Sequence, residues 1–448
     1  MKRLLTILII LFSCNLMSGQ EIKPMGAAIV VNDIDKATDW YKKVFQVEVS
    51  NEMNFPEYDS LQIKILKNDA FQLELLQKKT AFSIKKFIPN YSVNNQPLLG
   101  IYKMVFKTSE LEKLHLRLQK LDVNIILGLT SDEPNRLDYF IISDPDGNII
   151  QFIEPKVEVL TLDIDKTTIP EGIVIHPETE EIFISSIHLD RITKSDENGE
   201  NSSIILSNEN CGYTIGVGME IYKNQLYALG SFNRKKISKL FIKNLNDTIV
   251  QCISLKNGKP SYFNDLAVDD NGNAYITDTD SHHIYRYDVQ RNEITTFLAN
   301  KQIQYPNGIT ISPDNTKLFI DSYSHGIRIV DIKTKKILNQ IHQPTAKRGI
   351  DGLKYYNGDL YAIVNGGKNR TKHGLYKISV SEKEDDILNV EPVLVNHPKM
   401  DIPTTVSIRN KTVYILANSQ LLNLNQDKNV IIDPDKLHSV VVIKVKLD

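Results

Sequence analysis

What most narrows the folding choices of this chain is a plan repeated six times over its last two thirds. Each copy has a polar head, a short apolar run, a turn, and a second apolar run carrying an aromatic residue. The clearest copy runs Ser261-Tyr-Phe-Asn264-Asp-Leu-Ala-Val-Asp-Asp-Asn-Gly272-Asn-Ala-Tyr275-Ile-Thr-Asp278, a hairpin with a decorated entry. The plan recurs at Pro170-Glu171-Gly172 with Phe183, Gly216-Val-Gly218 with Tyr227, Pro306-Asn307-Gly308 with Phe319, Ile350-Asp351-Gly352 with Tyr361, and Pro403-Thr404 with Tyr414. The aromatic residues fall 44, 48, 44, 42 and 53 positions apart. A period in the mid-forties with about four short strands per unit is the signature of a β-propeller, one blade per unit. The expected fold of this region is an all-β six-bladed propeller.

In such a ring the first strands of all blades run the same way, so their heads converge on one mouth. Glu171, Asn264, Asn307 and Asp351 then meet on the axis, with Gly216 and Thr404 completing the set. Two carboxylates and two carboxamides suit a hard cation such as calcium, which takes several oxygen ligands. Taken singly, each residue is more often a turn former at a strand entry than a ligand.

Pro-Glu-Gly at 170–172, Asn-Asp-Leu at 264–266, Pro-Asn-Gly at 306–308 and Asp-Gly-Leu at 351–353 resemble, in order and spacing, the senescence-marker-protein, gluconolactonase and luciferin-regenerating-enzyme family. That resemblance implies that Glu171, Asn307 and Asp351 hold a divalent metal, that Asn264 lines the metal or substrate site, and that Asp351 is the candidate general base. The sugar-lactone members usually carry an arginine two places before the third-blade Asn and another before the first-blade Glu. Here those places hold Tyr262 and Thr168.

A length of 448 residues predicts two or three domains. The net charge of −2 comes without a basic patch or tail, so nucleic acid is not an expected partner. Met1 to Gln20 has a basic start and an apolar run from Leu4 to Phe12, too short to span a bilayer, and reads as an export signal. Two ends fit it. Cleavage near Gly19 releases a soluble periplasmic or extracellular protein, whereas Leu11-Phe12-Ser13-Cys14 resembles a lipoprotein box whose lipidated Cys14 holds the chain to a membrane. Cys211, in the connection entering the second blade, and Cys252, in that blade's outermost strand, are expected to lie too far apart for a disulfide.

The expected domains are a signal at 1–20, an α+β domain of paired βαβββ units at 21–156, and the propeller at 157–448. In the α+β domain Asp33 caps a helix through Phe45, Ser109 caps a second helix, and strands fall near 27–31, 61–66, 71–76, 102–106, 124–127, 139–142 and 149–153. Val-Asn-Asp-Ile-Asp-Lys-Ala at 31–37, Trp-Tyr-Lys-Lys-Val-Phe at 40–45 and Asp144-Pro-Asp-Gly-Asn148 resemble the vicinal oxygen chelate family of glyoxalases and bleomycin-resistance proteins. The metal positions of that family fall on Gly26, Glu74, Lys103 and Gln151. A glycine offers no ligand atom and an ammonium repels a divalent cation, so a metal-free module is expected.

The alternating run Val157 to Leu162 and the last strand, Ser439 to Leu447, stand at opposite ends of the repeats, where pairing between them would close the ring. Loops after the second strands are expected to bring His188, Asp190, Asp278, Asp280, His282, Tyr323, His325 and Lys368 around the mouth, with Tyr262, His188, His282 and His325 as candidate substrate contacts. The chain has no Gly-x-Ser-x-Gly elbow, no His-Glu-x-x-His and no phosphate loop. The functional expectation is an exported, calcium-dependent hydrolase of a small-molecule lactone or ester. Its alternatives are a non-catalytic scaffold with structural calcium, or a glyoxalase-like lyase or dioxygenase acting through the N-terminal domain.

Overall fold

The computed structural model describes residues 26–91, 102–108, 110–132, 135–232, 234–256, 260–340, 349–365 and 372–447. The expected signal segment with Cys14, the Ser109 cap and Lys368 lie outside the described residues. The chain divides between Pro155 and Lys156 into two compact units.

The first unit runs β1 (Gly26–Val30), α1 (Ile34–Phe45), β2 (Glu48–Phe55), β3 (Leu61–Lys67), β4 (Gln72–Gln77), β5 (Met104–Lys107), α2 (Leu111–Lys120), β6 (Ile125–Asp132), β7 (Leu137–Ser143) and β8 (Ile149–Pro155). It forms two sheets of like topology, β1-β4-β3-β2 and β5-β8-β7-β6, in which β1 and β5 pair in parallel with β4 and β8. Asp33 caps α1 as expected, its carboxylate accepting from the backbone N–H groups of Asp35 and Lys36. The helix buries Ile34, Ala37, Tyr41 and Val44 in a core shared with Phe140 and Phe152. Strand β2 was not anticipated, because its Val49, Met53 and Phe55 make too weak an alternation. Its ladder to β3, from Glu48–Lys67 to Phe55–Leu61, holds it in place. Helix α2 begins at Leu111, with Glu110 at the N-cap and no side-chain cap bond.

The second unit is propeller-like, built of six successive antiparallel sheets and a small hairpin. The first strands of the six are Pro170–Ile175, Met219–Tyr222, Phe263–Val268, Pro306–Ile311, Ile350–Tyr356 and Val406–Arg409. Each contacts the next in chain order, and Val406–Arg409 contacts Pro170–Ile175. The six repeat aromatics all lie on second strands at one register, opposite Val174, Glu220, Ala267, Thr310, Lys354 and Ser407. That constancy explains the period: each aromatic fills the same layer between adjacent sheets, as Phe183 does with Val174, Met219 and Ala228.

Strand number varies. The second sheet has five strands, and the fourth has three among the described residues. Beside that third strand, the Asn339 carboxamide accepts from the N–H of Ile329 at 2.8 Å and donates to the carbonyl of Ile327 at 2.9 Å, standing in for a strand residue. In the sixth sheet, Val441–Lys446 pairs with Thr412–Leu416 on one side and with Val157–Thr161 on the other, so the two ends of the unit are hydrogen-bonded to each other.

One expectation fails outright. Cys211 and Cys252 form a disulfide, with Cα atoms 6.5 Å apart. Cys211 comes just after Ser203–Ser207, the last strand of the first sheet, so the chain is still at the rim when it passes Cys211. Cys252 lies in Val250–Ser254, the last strand of the second sheet. The connection that carries Cys211 therefore meets the outermost strand of the second sheet instead of lying a sheet's width away from it.

Candidate functional site

Four of the six first strands carry a register shift at their heads, where they part from their second strands: Pro170/Ile173, Phe263/Leu266, Pro306/Ile309 and Ile350/Leu353. The two residues inside each shift are Glu171-Gly172, Asn264-Asp265, Asn307-Gly308 and Asp351-Gly352. A bulge re-aims side chains and breaks the ladder, so the heads leave the sheet plane and their freed N–H groups need new partners. Hydroxyls on the second strands supply two of them. Ser185 Oγ accepts from Gly172 N–H and donates to Val217 C=O, both at 2.8 Å, while Thr277 Oγ1 accepts from Asp265 N–H at 2.9 Å and donates to Asn307 C=O at 2.8 Å. Gly172 is required by crowding, since a Cβ there would stand 2.3 Å from Val217 C=O.

At these bulges three of the predicted head residues, Glu171, Asn307 and Asp351, come near one another. Asp351 is buried, and its two oxygens accept from the Asn307 carboxamide at 2.7 Å and the Asn365 carboxamide at 3.0 Å. Asn264 donates to Thr279 Oγ1 at 3.1 Å. Glu171 has its Oε2 atom buried with no hydrogen-bond partner. Burial, then the charges of Asp351 and Asp265, push the Glu171 carboxyl well above the ordinary carboxylate range. Burial pushes Asp351 up to about 7 against the pull of its two carboxamide donors. Tyr262, just before the third head, is raised by burial and by the charges of Glu171 and Asp351, which places its phenol toward the same centre.

Three residues of this centre had no role assigned from sequence. Asp265 occupies the place that Gly172, Gly218, Gly308 and Gly352 fill in other repeats, and burial raises it to about 6 while Lys354 opposes the rise. That break in the glycine column was a legible signal. Asn365 directly follows its second strand, as Thr279 does in the third repeat, and each binds the head of its own repeat. Asp321 sits on the fourth second strand, fully buried with neither oxygen partnered, and burial followed by the charge of Asp351 raises it well above the usual range.

The histidines are placed otherwise. His188 Nδ1 lies 2.9 Å from the Asn429 carboxamide oxygen, His282 Nδ1 accepts the N–H of Tyr305 at 3.1 Å, and His325 Nδ1 lies 2.7 Å from Ser324 Oγ. Among the described residues none of the three bonds to Glu171 or Asp351. Asp190 is held by Arg234, and Asp278 accepts from the N–H groups of Tyr262, Asp280 and Ser281.

Behind the heads the space between the first strands narrows to a cavity of about 10 Å³ at Gly172, Gly218, Asp265 and Gly352. That is room for about one water. Beyond the constriction Lys354 pairs with Glu220 at 2.5 Å.

In the first unit, a Cβ at Gly26 would fall 2.2 Å from the carbonyl oxygen of Gln72, so that position has no room for any side chain. The registers set Glu74 beside Ala28 and Gln151 beside Val105, and Lys103 is exposed.

A propeller-like unit whose strand heads gather carboxylates and carboxamides, preceded by a paired βαβββ unit, is the class this chain presents. Residues 169–367 match the family model described as SMP-30/Gluconolactonase/LRE-like region, and residues 25–152 match that of the Glyoxalase/Bleomycin resistance protein/Dioxygenase superfamily. Both resemblances read from the motifs therefore hold. No curated protein matches the sequence significantly. Among solved structures, the chain is similar to a luciferin-regenerating enzyme (15% identity, TM-score 0.45, covering 65% of this chain and 97% of that one). It is also similar to XC5397 from Xanthomonas campestris, a gluconolactonase (13%, 0.43, 73% and 97%). A glyoxalase family protein from Enterococcus faecalis is similar over the first unit (21%, 0.26, 30% and 97%).

Proposed function

We propose that the six sheets are the blades of a closed six-bladed propeller, and that its mouth is a calcium-type metal site at which a lactone or ester is hydrolysed. The observation that carries this reading is the buried, unpartnered Oε2 of Glu171, crowded by the charges of Asp351 and Asp265. A buried carboxylate without a partner costs several kcal/mol unless it is neutralised, and a divalent cation would do so. Glu171, Asn264, Asn307 and Asp351 would hold it, an oxygen donor set suited to calcium. Such a cation, when bound, polarises a carbonyl oxygen and offsets the charge that develops on it.

The chain's own residues do the rest. Asn307 and Asn365 fix the plane of the Asp351 carboxylate by donating to separate oxygens, so it is oriented to take a proton from water. The water oxygen bonds to the carbonyl carbon, the carbon–oxygen bond of the lactone or ester breaks, and Asp351 returns the proton to the leaving alkoxide. Tyr262 would contact substrate, a role supported by the influence of the Glu171 and Asp351 charges on its phenol. The engagement of His188, His282 and His325 elsewhere leaves Asp351 as the acid–base group, and it also favours the second reading, a scaffold with structural calcium. A panel of aliphatic lactones, aryl esters and sugar lactones, assayed with and without chelator on wild type and Asp351→Asn, separates them. Hydrolysis that needs both calcium and Asp351 supports the enzyme, and calcium binding without turnover of any member refutes it.

We also infer that the protein is exported, by the signal at 1–20, into an oxidising compartment. The Cys211–Cys252 disulfide supports this, since such bonds persist chiefly outside the cytosol. The first unit is read as metal-free, supported by the crowding at Gly26 and the ammonium of Lys103.

A further inference from the structure

The first unit holds a cavity of about 660 Å³ that the hydrolase reading does not use. It runs along β1 and is bounded by segments 81–84, 102–104 and 146–149. Its size is that of a small-molecule site. The lining mixes polar groups such as Asn32, Ser83 and Lys103 with apolar side chains, two of which stand open to solvent, Val30 55% and Phe82 61% exposed. Surfaces of this kind are costly to leave in water.

The polar groups in the lining are unequal. Asp146 is occupied, its two oxygens accepting from the backbone N–H and the carboxamide of Asn32 at 3.3 and 2.5 Å. Asn148 donates to Asp144 at 2.8 Å. Lys103 lines the same cavity, and among the described residues no carboxylate or carbonyl engages its ammonium. The edge of β1 adds donors. Its pairing with β4 sends the N–H of Val31 to Leu76 C=O at 2.8 Å, and the alternation of a strand turns the N–H groups of Ala28 and Val30 to the opposite edge, where no strand pairs among the described residues and the next N–H, of Asn32, donates to Asp146.

We propose that this cavity binds a small amphipathic anion, a carboxylate or sulfonate with an apolar body. Lys103 and the β1 edge hold its head, and Val30 and Phe82 cover its body. Of the four metal positions of the resembled family, Lys103 alone is in the lining of this cavity.

Decanoate is the probe, titrated calorimetrically into the full chain, with decanol as its uncharged counterpart. One decanoate should bind per chain, with decanol and the Lys103→Met variant each weaker by about tenfold, as expected for losing one charged contact. Lys103→Arg should keep the affinity, and Val30→Trp, which fills the cavity, should abolish binding. Since the site is separate from the mouth, Glu171→Gln should leave decanoate affinity unchanged, so failure here and failure of the hydrolase reading are distinct. The proposal is overturned if decanoate does not bind, if decanol or Lys103→Met binds equally well, or if Val30→Trp still binds.

Discussion

If the mouth holds a divalent cation as proposed, the carboxylate cluster should make stability respond to pH and to that cation in opposite directions. Asp351 and Asp265 are both buried and raised, from an ordinary 3.8 to about 7 and about 6. A raised carboxyl binds its proton more tightly in the folded than in the unfolded chain. Its contribution is therefore full below about pH 4 and is lost as pH rises through 6 and 7. Without a cation, the full ionisation cost at about pH 8 is about 4 kcal/mol for Asp351 and about 3 kcal/mol for Asp265. Part of that cost is already present near pH 5, so the loss between about pH 5 and pH 8 comes to about 4 kcal/mol, a melting shift of roughly 10 °C for a domain of this size. Calcium should remove the fall, because it neutralises the charge and adds about 2.7 kcal/mol at a hundredfold excess over Kd. Asp351→Asn gives a counterintuitive check: in chelator at about pH 8 it should melt higher than wild type, yet gain nothing from calcium. Scanning calorimetry of both proteins across this range, with EDTA or calcium, measures all of it. A wild type whose melting in EDTA does not change with pH, or changes equally with calcium present, would refute the reasoning.

Four further outcomes are expected. Glu171→Gln should lose most of the calcium-dependent rise in melting temperature and, like Asp351→Asn, melt higher than wild type in EDTA at about pH 8, because burial raises its carboxyl too, and a rise of wild-type size on adding calcium would remove Glu171 from the site. Breaking the disulfide with Cys211→Ser should cost about 4 kcal/mol for a closed loop of this length, read from urea unfolding, and an unchanged midpoint would show that the bond carries no stability. Deleting from Ser439 onward removes the buried Val441, Val442, Ile443, Val445 and Leu447, at about 1.5–3 kcal/mol each, and opens two strand edges. Insoluble expression is expected, and a soluble truncation melting like the full chain would show that the ring closes elsewhere. Loading the Glu171→Gln chain with nickel, zinc or manganese should give no methylglyoxal–glutathione isomerisation; stoichiometric metal together with isomerisation would mean that the first unit is a working glyoxalase.

How far the fold could be read in advance depended on whether a signal was periodic. The six aromatics share one register on their second strands, so a fixed spacing in sequence corresponds to a fixed layer in space. The last strand alternates Ile443, Val445 and Leu447 with Lys444 and Lys446, and these apolar residues enter one core cluster while Val440 and Val442 enter another. Strand β2 and the disulfide had no such signal. The first is held by backbone pairing to β3, which no side-chain pattern announces, and the second depends on where between rim and axis a connecting loop passes.

The candidate site shows the same division at finer scale. Glu171, Asn264, Asn307 and Asp351 were legible because each heads a repeat, and the bulge that turns them inward is common to all four. The residues that give the site its electrostatic character were harder to see, since each departs from the repeat. Asp265 replaces a glycine of the column. Asp321 falls where the first and third repeats have the bridging hydroxyls of Ser185 and Thr277, and it leaves both carboxylate oxygens without a partner. A repeat defines a scaffold through what its copies share, and here charge enters where one copy differs. The histidines make the converse point: their loops lie after the second strands as expected, but local bonds to Asn429, Tyr305 and Ser324 settle where the rings point. Residue type and loop position alone could not supply that, which is why the acid–base chemistry proposed for the mouth rests on Asp351.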